Sequence, residues 1–187
     1  TATASNSTPV GSHTIVVNNL ASSSSYYSTA VASSTTVLAA GAFTIQVGSQ
    51  PAATITIDDT NNTLDGLAAA ITNANLGVTA SVVNDSTGAR LAIVSNASGA
   101  ASDLTVNNAG SSLSFTKGAT GTDASLTIDG VPISSAGNTI ANSVAGLTLN
   151  LVGAAPGTQV QIAVSPDTTK VTQAVTDFVT AYNTIIQ

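Results

Sequence analysis

Cysteine, methionine, tryptophan and glutamate are all missing from this 187-residue chain. Without cysteine there is no disulfide framework and no thiolate metal site. Without glutamate there is no bidentate ligand to close an EF-hand-type calcium loop. Charge is scarce, at 6% of residues against the usual ~25%. What charge there is leans one way, with nine aspartates against two lysines and one arginine, net −6. That balance excludes nucleic acid and anionic membrane as partners, because both require a basic patch. Aromatics make up 3%, so the core must be built from Val, Ile, Leu and Ala. No apolar run approaches the ~20 residues of a membrane span, and the N-terminus has no signal-peptide pattern. Because position 1 is not methionine, the chain is expected to be a processed product or a piece of a longer protein.

The abundant residues are Ser, Thr, Asn, Gly and small aliphatics, with 43% hydrophobic overall. Such a polar, uncharged surface suits secreted proteins and extracellular assemblies. The lack of disulfides fits bacterial export better than a eukaryotic secretory route.

Residues 1–9 read as loop or loose strand, and "SHTIVVNNLA" (Ser12–Ala21) as a strand. "SSSSYYS" looks polar and flexible. Phe43, Ile45 and Val47 alternate with Thr44 and Gln46, and Ile55 and Ile57 with Thr54 and Thr56. With Gly48–Pro51 between them, they predict a hairpin with one buried face. Leu64, Leu67, Ala68 and Ile71 fall on one helical face. Asn62 or Thr63 can cap that helix, and Asp65 suits its first turn. Two more strands follow, Val78–Val82 and Leu91–Ile93, around the turn "NDSTG".

Residues 96–122 are rich in Ser, Gly, Asn and Ala. Leu104–Val106 and Leu113–Thr116 are the strand candidates there, and Lys117–Thr122 reads as a linker. Asp129-Gly130 marks another hairpin. Asn138–Val144 reads as a half-helix or turn, and two strands, Leu147–Leu151 and Val160–Val164, flank "GAAPGT". Asn62-Thr63-Leu64 and Asn138-Thr139-Ile140 hold comparable places, which suggests a diverged internal repeat. At the C-terminus Ser165 can cap a helix with Pro166 in its first turn. Val171, Val175, Phe178, Tyr182 and Ile185 then recur at alternating spacings of four and three, a coiled-coil-like seam that needs an apolar partner.

Nothing in this inventory builds an active site. The single histidine, His13, has no nucleophile and acid placed beside it in sequence, and it reads as an exposed or edge-strand polar residue. Asp58-Asp59 with Asn61 and Asn62 misses calcium-loop spacing and reads as a turn and helix cap. Asp85 and Arg90 suit a cross-strand ion pair. Asp123 and Asp129 could be imagined as a glycosidase pair, but Asp129 belongs to a turn and aromatic platforms are scarce. Asn6 and Asn61 pass the N-x-S/T rule and Asn142 fails it, in a composition where chance matches are expected. The chain is therefore expected not to be an enzyme and to need no metal or cofactor.

Three stretches carry a family resemblance. They are "TITIDDTNNTLDGLAAAITNANLGVTASVVNDSTGARLAIVS", "LTIDGVPISSAGNTIANSVAGLTLNLVG" and "VSPDTTKVTQAVTDFVTAYNTII". Together they resemble the flagellar filament cap family, hook-associated protein 2. The last is the most specific, and Asp167, Thr168, Val171, Ala174, Val175, Phe178, Val179, Ala181, Tyr182 and Asn183 match its helix pattern. The resemblance implies a structural component of the bacterial flagellum, secreted to the distal tip of the filament. There the family self-associates into a ring-like cap and promotes flagellin folding and insertion. Two alternatives stand beside it, a flagellin or hook-filament junction protein and an adhesin-like surface module that binds a host or environmental ligand.

The expected fold is α+β and mostly β, with two small head domains in which short helices pack on antiparallel sheets. Residues 1–34 and 119–165 would form the first, discontinuous head domain. Residues 35–118 would form the second, inserted into it, because strand 12–21 is too isolated to bury a face alone. Residues 166–187 would begin the helix of a leg domain.

Overall fold

The computed structural model describes residues 1–186, with the side chain of Lys170 outside the description. The elements run β1 (Ala2–Ala4), β2 (Gly11–Asn19), β3 (Ser23–Ser28), β4 (Gly41–Val47), β5 (Ala53–Ile57), α1 (Leu64–Asn73), β6 (Val78–Asp85) and β7 (Gly88–Ser98). A single 3-10 turn (Ala100–Ser102) leads to β8 (Leu104–Asn108), β9 (Phe115–Ala119), β10 (Ala124–Ile128), β11 (Val131–Ser135), β12 (Thr139–Val144), β13 (Leu147–Asn150), β14 (Val160–Val164) and α2 (Thr169–Ile185). The fold is α+β with β dominant, in four antiparallel sheets.

Two sheets come from the two ends of the chain. One has the order β1-β13-β12 and the other β11-β10-β2-β14. Alternation turns Ile15, Leu126 and Ile128 of the second sheet toward Ile140, Leu147 and Leu149 of the first, and these six buried residues form one core. The β2 strand pairs with β10 on one side and β14 on the other. Asp129 and Gly130 both take positive φ (51° and 84°), as the two-residue β10–β11 turn requires.

The middle of the chain makes the other two sheets, β6-β7-β3-β9 and β5-β4-β8. Helix α1 buries Leu64, Leu67 and Ile71 against a core that includes Phe43, Ile45, Ile57, Leu91 and Ile93. Its N-terminus is capped by Thr63, whose Oγ1 accepts from the Gly66 N–H at 3.1 Å. Thr72 ties it to β6, accepting the Ala80 N–H at 3.1 Å. Phe43 and Phe115 pack with ring centroids 4.7 Å apart.

Several expectations are corrected. The segment "SSSSYYS", expected to be flexible, is strand β3, and it pairs with β7 and β9. Its inward side is held by hydrogen bonds as well as by Tyr26, which packs against the core: Ser95 Oγ accepts the Ser24 N–H at 2.9 Å and Ser28 Oγ the Leu91 N–H at 2.9 Å. Lys117–Ala119, read as linker, completes β9. Lys117 Nζ is fixed there by Asp103 Oδ2 at 2.6 Å. Thr139–Val144, read as half-helix or turn, is strand β12, paired with β13 across a register shift where Asn142 takes φ 60°. The second module therefore has a strand where the first has a helix. Helix α2 starts at Thr169, not at Pro166, and the Asp167 carboxylate accepts the Thr169 N–H at 3.0 Å.

Candidate assembly surface

The largest concentration of uncovered apolar surface lies on α2. At 100° per residue, Val171, Val175, Phe178, Tyr182 and Ile185 fall within an arc of roughly 80°. Every described side chain of the helix is exposed. Phe178 is 70% exposed and Ile185 82%. Val171, Ala174, Val175 and Phe178 line a shallow apolar depression on this face.

The other side of the helix is a ladder that the sequence reading missed. Thr172, Thr176, Thr180 and Thr184 each donate their hydroxyl to the carbonyl four residues back, at 2.9–3.0 Å. The i, i+4 recurrence of threonine was the available signal. Such back-bonding slightly destabilises and often bends a helix. Gln173 Nε2 donates to Asp177 Oδ1 at 2.7 Å. The helix thus has one apolar face and one polar face.

The other sequence candidates are placed elsewhere, each in a local structural role. His13 Nδ1 lies 2.7 Å from Asp129 Oδ2, and Asp129 Oδ1 accepts the Thr14 N–H at 2.8 Å. The His13 hydrogen bond first, and the Thr14 N–H second, hold the Asp129 carboxyl below its ordinary range. This contact closes the β10–β11 turn onto β2, a partner that sequence separation concealed. Asp123 and Asp129 sit just beyond opposite ends of β10, about 20 Å apart along an extended strand, beyond the separation a glycosidase uses. Asp58 Oδ1 accepts from the N–H and hydroxyl of Thr60, at 2.9 and 2.6 Å, and Asn61 Oδ1 accepts the Asp58 N–H. Those bonds make a turn ahead of α1.

Arg90 Nε donates to Asp85 Oδ2 at 2.7 Å, and its guanidinium lies 5.8 Å from the Tyr27 ring centroid. Thr87, then Arg90, hold the Asp85 carboxyl far below its usual range. Asn61 Nδ2 donates to the Thr56 carbonyl at 2.8 Å, while Asn6 stands exposed after β1. Among the described residues no three His, Cys, Asp or Glu side chains come together as metal ligands, and no helix is long and apolar enough to cross a membrane.

Residues 121–187 match a family model described as "Flagellar hook-associated protein 2 C-terminus". The chain is similar over its whole length to the flagellar cap protein FliD (D1-D2-D3 domains) of Escherichia coli, at 30% identity and a TM-score of 0.77, and it spans 57% of that structure's chain. It is similar at 27% identity to FliD (HAP2) of Pseudomonas aeruginosa, with a TM-score of 0.78, covering 100% of this chain and 93% of the other. The D2-D3 domains of the E. coli cap protein match at 28% identity and a TM-score of 0.73, covering 89% of this chain and 94% of that one. No curated protein sequence matches the chain significantly.

Proposed function

We propose that the chain, whose residues 121–187 match the hook-associated protein 2 model and which is similar end to end to cap-protein structures, is the head region and first leg helix of a filament cap subunit. In this reading it acts at the distal tip of the filament, outside the cell. It self-associates there through its parent protein into a ring-like plate, under which flagellin folds and inserts. Its role is structural and not enzymatic. The observation that carries the reading is the uncovered apolar face of α2, on a chain that matches cap-protein structures from end to end. An exposed seam of five large apolar side chains on a helix with no packing of its own is unusual in a monomer, and it fits a helix whose partner lies in the rest of a leg.

Two separate cores also support an inserted arrangement of two head domains. The pairing of β3 with β7 and β9 moves the proposed crossovers to about residues 20–22 and 120–123.

Deleting the parent gene tests the function. Filaments should then fail to extend, and unpolymerised flagellin should accumulate in the medium. Filaments of normal length on the deletion strain would overturn the reading.

A further inference from the structure

The two cores share no residue, so no common apolar core sets the angle between the units that contain them; at the crossings only the small side chains of Ala21 and Ala124 are buried apolar groups. The chain crosses between them twice, and the two crossings are joined by an antiparallel bridge between Ser22 and Thr122. Two strands side by side make a pivot, and something must stop it from turning.

The stop is polar and centres on Asp123, at the return crossing. Its Oδ1 accepts the backbone N–H of Ala100, in the 3-10 turn of the middle unit, at 2.8 Å. Its Oδ2 accepts more weakly from Ser134 Oγ of the end unit, at 3.4 Å. A second bond runs beside it, from Ser98 Oγ to the Ala136 carbonyl at 2.7 Å. Asp103 of the middle unit answers from the other side by accepting the Gly121 N–H at 2.9 Å.

The backbones also meet closely. Gly99 takes φ 99°, and a Cβ there would stand 2.8 Å from the Ala136 Cβ and 2.9 Å from Asp123 Oδ1. A Cβ at Gly121 would stand 2.7 Å from the Gly99 carbonyl oxygen. Only glycine at both places lets the units close to this distance.

We infer that Asp123 is a positioning residue that latches the middle unit to the end unit at a fixed angle, through its Oδ1 on the Ala100 N–H and against the Gly99–Gly121 contact. A carboxylate accepting a backbone N–H is among the stronger hydrogen bonds, and here it acts between two units whose apolar cores share no residue. With the latch made, the middle unit moves with the end unit as one body. With the latch broken, it swings about the Ser22–Thr122 bridge. The latch sets the angle between the units whatever the protein assembles with.

The chain has no cysteine, so Val83→Cys on β6 and Val131→Cys on β11, both exposed, give one spin label in each unit. Pulsed electron–electron resonance on the labelled chain should show a single narrow distance distribution. Asp123→Ala should broaden it and shift its mean. Gly121→Ala, which wedges the seam without touching Asp123, should do the same. Asp123→Asn keeps an oxygen for the Ala100 N–H and should preserve the narrow distribution. Hydrogen-exchange protection in β7 and β10, read on each variant, separates a released hinge from an unfolded unit. Should Asp123→Ala lose that protection, Gly121→Ala carries the test. An unchanged distribution in a folded Gly121→Ala or Asp123→Ala chain would overturn the latch. A distribution as broad in Asp123→Asn as in Asp123→Ala would overturn the role given to Oδ1.

Discussion

Truncating Phe178 should have two opposite outcomes, depending on what surrounds the chain. In the chain alone the ring is 70% exposed and touches no core. Phe178→Ala should therefore leave the stability of this chain within about 0.5 kcal/mol of the parent, as for other surface substitutions away from special features. In an assembly that covers the seam, the same ring is buried. Burying such a side chain fully is worth about 1.5–3 kcal/mol, so its loss should weaken association by about 10- to 150-fold. The seam residues on either side, Val175 and Tyr182, are themselves more than half exposed, which leaves the ring no neighbour on the chain to compensate. Denaturant titration of this chain measures the first quantity, and sedimentation equilibrium of the full-length parent carrying the substitution measures the second. A loss of more than about 1 kcal/mol from the chain alone would refute the reasoning, since surface positions do not respond so strongly. Unchanged association of the parent would refute it equally.

Light scattering on this chain at micromolar concentration should give a monomer, because α2 lacks a partner; a stable ring would move the assembly contacts to the head. Leu67, fully buried in α1, should on truncation to Ala cost about 2–5 kcal/mol, read as a lowered denaturant midpoint. The Asp129 carboxyl is held low by His13 and Thr14. A depressed folded value adds stability above the unfolded value and loses it as pH falls through the folded one. The melting temperature should accordingly drop below about pH 4, and Asp129→Asn, which tolerates the same left-handed turn, should flatten that drop.

The elements legible in the sequence were those where burial follows apolarity. Leu64, Leu67 and Ile71 announced α1, and the alternation at Phe43–Val47 and Thr54–Ile57 announced β4 and β5. Helix α2 was legible from its periodicity alone, although its apolar side chains are exposed. Strand β3 was not legible, because its buried positions are Ser24 and Ser28. A buried serine is stable only when its hydroxyl is paired; the Ser24 hydroxyl donates to the Ala119 carbonyl and the Ser28 hydroxyl accepts the Leu91 N–H, and both partners lie far along the chain. Long-range polar pairing hid the His13–Asp129 contact and the Asp123 seam in the same way. Hydropathy records where a side chain is willing to go, and it does not record which distant hydrogen bond makes a polar one welcome.

The placement of β2 between β10 and β14 also sets an order in time. His13 and Asp129, now in contact, are 116 residues apart in the chain. Closing so long a loop is slow, because its entropy must be lost before the contacts reward it. If the middle segment folds first, its ends arrive together at Ser22 and Thr122, and most of that loop is already closed. By logarithmic scaling the saving is about 2 kcal/mol. The β2 strand, made early in synthesis, should thus wait unpaired until the segment behind it has folded, and the sandwich built on it should be the last part of the head to form.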